Sequence, residues 1–350
     1  MSNTTVNNTI GIVNDNQAYL IALIMFLNKT ISQYGLGLIM INGNIGSIFT
    51  IIVFSQSAFH KSPCAMYFIA SSFAQFFTFN FALFTRMLHY GYDVHTLNTN
   101  LWYCKIRFYL FYIFVAIPRY NIIMASIDRY FASSRNALRR QWSSPKIAIR
   151  LIISNVIFWC VMYIQVIIFY NISTGICWFQ SGAYGMFFSI YIAVESGIVP
   201  ILLLFIFGLL TANNVHKTRQ RIEPTGTTHG GRHIQGSKTS RKDAQLHKML
   251  ANQILVFIIL NMPNPCFLVY KAFTLNTSKS VLRSTIEEFA GNMTYGLIHL
   301  GFSLTFINFI ISSDMFRKEF LQVIRVNIFR QHPIRVSTVD RDNNKDSQVK

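Results

Sequence analysis

Charge is scarce in this sequence of 350 residues: Asp, Glu, Lys and Arg together make up 13% of it, and only 13 residues are acidic. Soluble globular chains carry about a quarter charged residues. The shortage excludes intrinsic disorder and weighs against a cytosolic enzyme. Cysteine is scarce too, with five residues in all, too few for a disulfide-built mini-scaffold. No Cys-x-x-Cys pair, His-Glu-x-x-His helix, Gly-x-Ser-x-Gly elbow or phosphate loop occurs. The sequence therefore offers no catalytic group, no metal site and no cofactor site. Its first residues, Met1-Ser-Asn-Thr-Thr, lack the basic region and adjoining apolar core of a signal peptide.

What fills the sequence is apolar surface: 52% of the residues are hydrophobic and 15% aromatic. A helix needs about 20 apolar residues to cross a bilayer. Seven stretches reach that length, at 33–55, 65–89, 101–130, 147–170, 183–211, 245–271 and 289–312. The pattern predicts an all-α membrane protein with a seven-helix transmembrane bundle over 33–312. A net charge of +18 would suit nucleic acid, but a nucleic-acid surface interleaves basic residues with aromatics. Here the basic residues lie between the apolar stretches and the aromatics within them, so the expected partner is the lipid bilayer and not nucleic acid.

Most of the 31 Lys and Arg residues follow spans 1, 3 and 5 or lie in the tail, among them Arg135, Arg139, Arg140, Lys217, Lys242, Arg317 and Lys318. Positive loops stay in the cytoplasm, which puts the N-terminal segment 1–32 outside. Glycosylation sequons at Asn3, Asn7, Asn28, Asn171, Asn276 and Asn292 fall on or beside segments assigned to the outside, with Asn292 close to span 7. Within 313–330, Phe316, Phe320, Ile324 and Ile328 recur every four residues beside Arg317, Lys318 and Arg325. That spacing predicts a short amphipathic helix on the inner leaflet. The remaining 331–350 reads as a disordered cytoplasmic tail, and the Gly- and Thr-rich stretch 212–244 as a flexible inner linker.

Asp128-Arg129-Tyr130 stands at the inner end of span 3. Cys104 lies 25 residues before Arg129 at the outer end, with Trp102 nearby and a second outer cysteine at Cys177. Gly43-Asn44 in span 1, Trp159 in span 4, Pro200 in span 5, Pro263 in span 6 and Phe316-Arg317 after span 7 extend the pattern. Together they resemble the rhodopsin-like (class A) family of G-protein-coupled receptors, over Tyr34 to Phe320, with a looser likeness to invertebrate FMRFamide-type peptide receptors. The resemblance implies a plasma-membrane protein that receives an extracellular ligand, a peptide being the favoured class, and signals to a heterotrimeric G protein. It implies a disulfide between Cys104 and Cys177. It also implies a coupling cluster of Asp128, Arg129, Tyr130 and Asp243, in which Arg129 pairs with Asp128 and with Asp243 as an ionic lock.

The departures fall on activation motifs. Gln75 stands where the family has a sodium-binding aspartate, and Leu260-Asn261-Met262-Pro263 lacks the span-6 tryptophan. Thr305-Phe306-Ile307-Asn308-Phe309 replaces Asn-Pro-x-x-Tyr, and Gly208 replaces a span-5 tyrosine. A transporter or channel, and a receptor-like protein that has lost G-protein coupling, are the alternatives these changes leave open. Span 7 has no lysine for retinal, whose position would fall near His299, and Phe111 occupies the site of the amine-receptor aspartate. Opsin and amine-receptor readings are therefore disfavoured.

The candidate ligand pocket comprises Arg86, Phe111, Asn261, Tyr295 and His299, with Lys105 and Arg107 adding to a basic outer mouth suited to a carboxylate. The candidate activation core comprises Arg119, Glu195, Pro200, Phe257, Asn261, Pro263, Thr305 and Phe309. At about 1.5 Å per residue, Arg119 lies roughly 22 Å below Cys104 and Glu195 about 18 Å below the start of span 5. Opposite charges at matching depth in lipid are expected to pair.

Overall fold

A backbone surrounded by lipid can satisfy its amides only within itself, so each long apolar stretch folds as a helix. The computed structural model describes residues 3–59, 62–94, 98–173, 176–179, 182–219, 233–274 and 277–327; the side chains of 3–14, 173, 176, 178, 216–219, 233–243 and 327 are not described. Helix Asn3–Thr30, a π-helical turn at Ile31–Gly35 and helix Leu36–Phe54 run together as α1. The other membrane helices are α2 (Pro63–Gly91), α3 (Leu101–Ala132), α4 (Pro145–Phe169), α5 (Ala183–Val215), α6 (Ala244–Phe273) and α7 (Val281–Ser303 with Thr305–Ser312). Six of these are long and apolar enough to cross a membrane, and the two pieces of α7, bent by 40°, make the seventh. Helix α8 (Asp314–Asn327) follows, with Phe316 buried and Arg317 exposed, as the four-residue spacing predicts.

Local signals set where the helices start. The Asn100 side chain accepts from the Tyr103 amide (3.0 Å), Ser144 from Ile147 (3.5 Å) and Ser280 from Arg283 (3.3 Å), each satisfying an amide that a helix start leaves free. Pro145 fills the first turn of α4, where a missing N–H costs nothing. Hydropathy places the first span at 33 and the seventh at 289, yet the helices begin at Asn3 and Val281. Ion pairs lie near these outer boundaries: Lys29 with Asp93 (2.5 Å), and Glu287 with Lys279 (2.5 Å) and Arg283 (3.1 Å). Between α4 and α5 lies an element the helical reading did not include. Strands β1 (Tyr170–Ser173) and β2 (Ile176–Phe179) form an antiparallel hairpin with Tyr170 opposite Phe179.

Two aromatic cores divide the bundle. The outer one joins Phe111, Tyr112, Trp159, Tyr163, Tyr170 and Phe188; the inner one joins Phe54, Phe68, Phe257, Phe309 and Phe316. Leu38, Ile41, Ile45 and Ile48 of α1 and Ile153, Ile157 and Val161 of α4 are exposed, as a lipid-facing stripe must be. Where α1 crosses α2, Gly43 lies directly under the Phe79 ring, and a Cβ there would collide with it.

Two backbone irregularities are repaired by side chains from neighbouring helices. Pro118 sits inside α3 and has no N–H for the carbonyl of Phe114, four residues earlier. The Thr78 hydroxyl of α2 donates to that carbonyl at 2.6 Å, and Ser71 donates to the Pro118 carbonyl at 3.1 Å. In α7 the bend falls at Leu304, although the motif there contains no proline. Asn42 of α1 donates to the Ser303 carbonyl (3.1 Å) at that bend. Asn42 is therefore the α1 asparagine that reaches α7; Asn44, the landmark residue of the sequence, pairs instead with Asn80 at the surface.

Candidate functional site

The candidate site residues occupy three levels of the bundle. At the outer level the Cys104–Cys177 disulfide, with Cα atoms 5.8 Å apart, ties the hairpin to the top of α3. The Asn98 side chain accepts from the Cys177 amide at 3.0 Å and braces the same loop. Beneath the hairpin, the Tyr112 and Tyr170 hydroxyls share a hydrogen bond of 2.8 Å. Tyr295 of α7 meets Phe111 of α3 edge-on at 5.6 Å, and the Arg86 guanidinium lies over the Tyr295 ring at 4.3 Å.

The middle level holds two opposite charges. Arg119 Nη1 donates to Glu195 Oε1 at 3.1 Å, with the two side chains 2% and 6% exposed. Glu195 stands in a π-helical turn of α5, Val194–Ile198, and takes two further hydrogen bonds. The Tyr163 hydroxyl donates to Oε2 (2.9 Å) and the Tyr120 hydroxyl to the Glu195 backbone carbonyl (3.1 Å). Tyr120 is in turn packed on Trp159 at 4.5 Å. A cavity of about 20 Å³ runs from Phe111 and Tyr295 to this pair, past Tyr163 and Asn264. That is room for about one water molecule.

At the third level, at the end of α3 away from the disulfide, Arg129 folds back on Asp128, donating to Oδ2 from Nη2 (2.6 Å) and Nε (3.1 Å). The Ser143 hydroxyl donates to the other carboxylate oxygen at 2.6 Å. Beside this pair a ladder of neutral polar groups joins α6 to α7. Gln253 donates to Thr305 Oγ1 (3.2 Å) and accepts from Asn308 (2.9 Å). Ser312 donates to Asn308 Oδ1 (2.9 Å), and Asn252 donates to Ser312 (2.7 Å). Gln245 accepts from Ser313 and from the Met315 amide, both at 2.9 Å.

The family model of the seven-transmembrane receptors of the rhodopsin family matches residues 44–308. The chain belongs to that family. It is a multi-pass membrane receptor, and the family is one of receptors rather than enzymes. No curated protein matches it.

The receptor brings some of the sequence-predicted residues together and separates others. Arg119, Glu195, Phe111 and Tyr295 line one cavity, and the first two lie well within the separation that pairing at matched depth requires. Arg86 reaches Tyr295 from above but does not line the cavity. His299 lies below it, with Nδ1 against the Tyr295 carbonyl at 2.7 Å. Asn261 turns away, donating to the Phe257 carbonyl at 3.0 Å; its place in the pocket is taken by Asn264, which lies beyond the break in α6 before Pro263. Pro200 is buried in α5, and Phe257 belongs to the inner core. Phe309 packs against Phe68 at 4.8 Å.

Asp128, Arg129 and Tyr130 stand together at the end of α3, where the Tyr130 ring meets Phe207 of α5 at 5.7 Å. The side chain of Asp243, the expected second partner of Arg129, lies outside the described residues, as do the side chains of Asn3 and Asn7 and the whole of Asn276 and 331–350. Asn171 is exposed on β1, whereas Asn28 is half-buried and accepts from Asn292 at 2.8 Å. Asn292 itself is buried, donating also to Ser32, so its sequon is inaccessible. Sequence reasoning missed the ladder from α6 to α7, since single Asn, Gln and Ser residues carry no spacing signal.

Proposed function

We propose that this receptor transduces the binding of an extracellular peptide to a heterotrimeric G protein at the plasma membrane, with its N-terminus outside. The observation that carries the reading is the buried Asp128–Arg129 pair at the cytoplasmic end of α3, braced by Ser143, in a chain of the rhodopsin family. The ligand acts through its differential affinity for two arrangements of the helices. In one, Arg129 is folded onto Asp128 and the α6–α7 ladder is closed; in the other, α6 has swung away and Arg129 faces the G protein. Asp243 adds a second acid to the closed arrangement. The Arg119–Glu195 pair with Tyr163 is the relay between pocket and cytoplasm, because one carboxylate belongs both to the cavity wall and to the packing of α3, α4 and α5. Glycans on Asn3, Asn7, Asn28, Asn171 and Asn276 mark the outer face, and a peptide is the ligand class that the likeness to FMRFamide-type receptors favours.

Nucleotide exchange by a panel of purified heterotrimeric G proteins, stimulated by the receptor in lipid nanodiscs, tests this reading through its basal activity. Exchange above the protein-free rate on at least one G protein is expected. Exchange on none, accompanied by ion or solute flux in liposomes, would replace the receptor reading with a transporter.

A further inference from the structure

The outer half of the bundle contains two arginines whose charge nothing in the described protein balances. Arg107, on α3 one turn below Cys104, is 6% exposed. Its Nε donates to the Thr85 hydroxyl of α2 at 3.1 Å, and its guanidinium lies against Phe108 (4.8 Å) and Phe111 (5.8 Å). The two guanidinium groups flank one aromatic pair, Arg86 over Tyr295 and Arg107 beside Phe111, whose rings meet at 5.6 Å, and they act on each other as like charges. Arg86 spends Nη1 on Asn292 Oδ1 (3.1 Å) and stacks on Tyr295, while its Nε is buried without a hydrogen-bond partner. The outer acids seen in ion pairs go elsewhere: Asp93 to Lys29, and Glu287 to Lys279 and Arg283.

Burying an unpaired charge within the membrane is unfavourable, and placing a like charge beside it is more so. The free hydrogen-bonding edges are also of a particular kind. Arg86 leaves its Nε–Nη2 edge without a hydrogen bond, and Arg107 leaves the edge formed by its two terminal nitrogens without one. Each is a planar fork of two parallel N–H groups, the shape that matches two oxygens on one centre. Both forks are already oriented, one by Asn292 and Tyr295 and the other by Thr85, so a ligand would not have to order them.

We propose that Arg86 and Arg107 form a binding site for an oxyanionic group, a carboxylate or a phosphate, carried by the extracellular ligand. The site sits directly above the Phe111–Tyr295 contact that caps the inner cavity. A ligand anchored there by its anion would lie with its remainder over the route to Arg119 and Glu195. The proposal rests on the receptor reading for the word ligand alone.

Thermal unfolding of the purified full chain in a maltoside detergent, which contains no phosphate or carboxylate, tests the site. The probes are sodium acetate and inorganic phosphate, titrated against sodium chloride at matched ionic strength. A saturable rise of the unfolding midpoint beyond that in chloride is expected with at least one of them, and which one saturates assigns the oxyanion. Arg107→Gln and Arg86→Gln should each weaken the apparent affinity about tenfold or more, from the loss of a charge-assisted contact. Arg107→Lys keeps the charge without the fork and should fall between, which covers the case in which a glutamine variant fails to fold. Arg139→Gln, at the opposite end of the molecule, should respond like the parent. No rise beyond chloride, or a rise unchanged in Arg107→Lys and both glutamine variants, overturns the site. The assay contains no G protein, so a failure of coupling and a failure of anion binding are read separately.

Discussion

Replacing Arg119 with leucine removes the donor that Glu195 faces at 3.1 Å and leaves its carboxylate buried with the Tyr163 hydroxyl. Breaking a buried pair from one side costs about 3–5 kcal/mol, because the surviving charge stays out of water. Glu195→Leu should cost as much, since it strands a guanidinium whose Nε already lacks a partner. Two independent sites would lose the sum, about 6–10 kcal/mol, which is most or all of a typical fold's stability. The pair geometry predicts otherwise. Arg119→Leu/Glu195→Leu exchanges both charges for apolar groups, and such replacements come out near neutral. The double variant should therefore be more stable than either single one. The charge-swapped double variant should recover part of the loss and no more, because the longer guanidinium would have to fit the π-helical turn and the Tyr163 hydroxyl that now hold a carboxylate.

Unfolding in detergent can be followed with a thiol-reactive fluorophore that reaches the buried Cys64 only when the bundle opens; exposed Cys266 reacts first and sets the baseline. Additive losses across the cycle would refute the coupling. A stable double variant that no longer responds in the exchange assay would separate signalling from folding.

Three further outcomes follow from the geometry. Thr78→Val should cost about 1–3 kcal/mol by leaving the Phe114 carbonyl without a donor, and most of that cost should vanish in a Pro118→Ala background, which restores the missing amide; equal costs in both backgrounds would show that Thr78 matters for some other reason. Asn308→Leu cuts the ladder where it bonds to Gln253 and Ser312, so it should raise ligand-independent nucleotide exchange at unchanged surface expression; unchanged basal exchange would mean that α6 is held shut elsewhere. Cys104→Ser opens a loop spanning 73 residues, for which chain entropy alone predicts a loss of roughly 4 kcal/mol; a midpoint of thermal unfolding that does not move would count against a stabilising role of the bridge.

The seven helices were legible because lipid is a demanding solvent: about 20 apolar residues in a row have few other uses. The Arg119–Glu195 pair was legible for the same reason, since two charges at one depth have few partners to choose from. Neutral polar contacts carry no such penalty and leave no such trace. Thr78 and Ser71 repair α3 from α2, and nothing in their spacing announces it. Asn261 and Asn264 lie three residues apart on α6, yet the break before Pro263 gives the pocket to the second. The π-turns at Ile31–Gly35, Thr78–Leu83 and Val194–Ile198 each shift the helical phase, so a count at 3.6 residues per turn loses register across them. Strands of four residues, as in the hairpin under the disulfide, are too short for an alternation to stand out.

The spans also differ in how much of their sequence the protein itself reads. In its most apolar stretch α3 is 67% buried, while α4 is 22% buried and otherwise faces lipid. On α3 nearly every side chain answers to a neighbour of fixed shape, so its composition is tied to that of the surrounding helices. The lipid face of α4 answers to a fluid, for which leucine, isoleucine, valine and phenylalanine are interchangeable. Substitutions can accumulate there without compensation elsewhere, and two descendants of this chain would come to differ along Ile149, Ile153 and Ile157 long before they differed around Arg119. The same surface, free to vary and held by nothing but hydrocarbon, is where a lineage could acquire a contact with another membrane protein without disturbing its own interior.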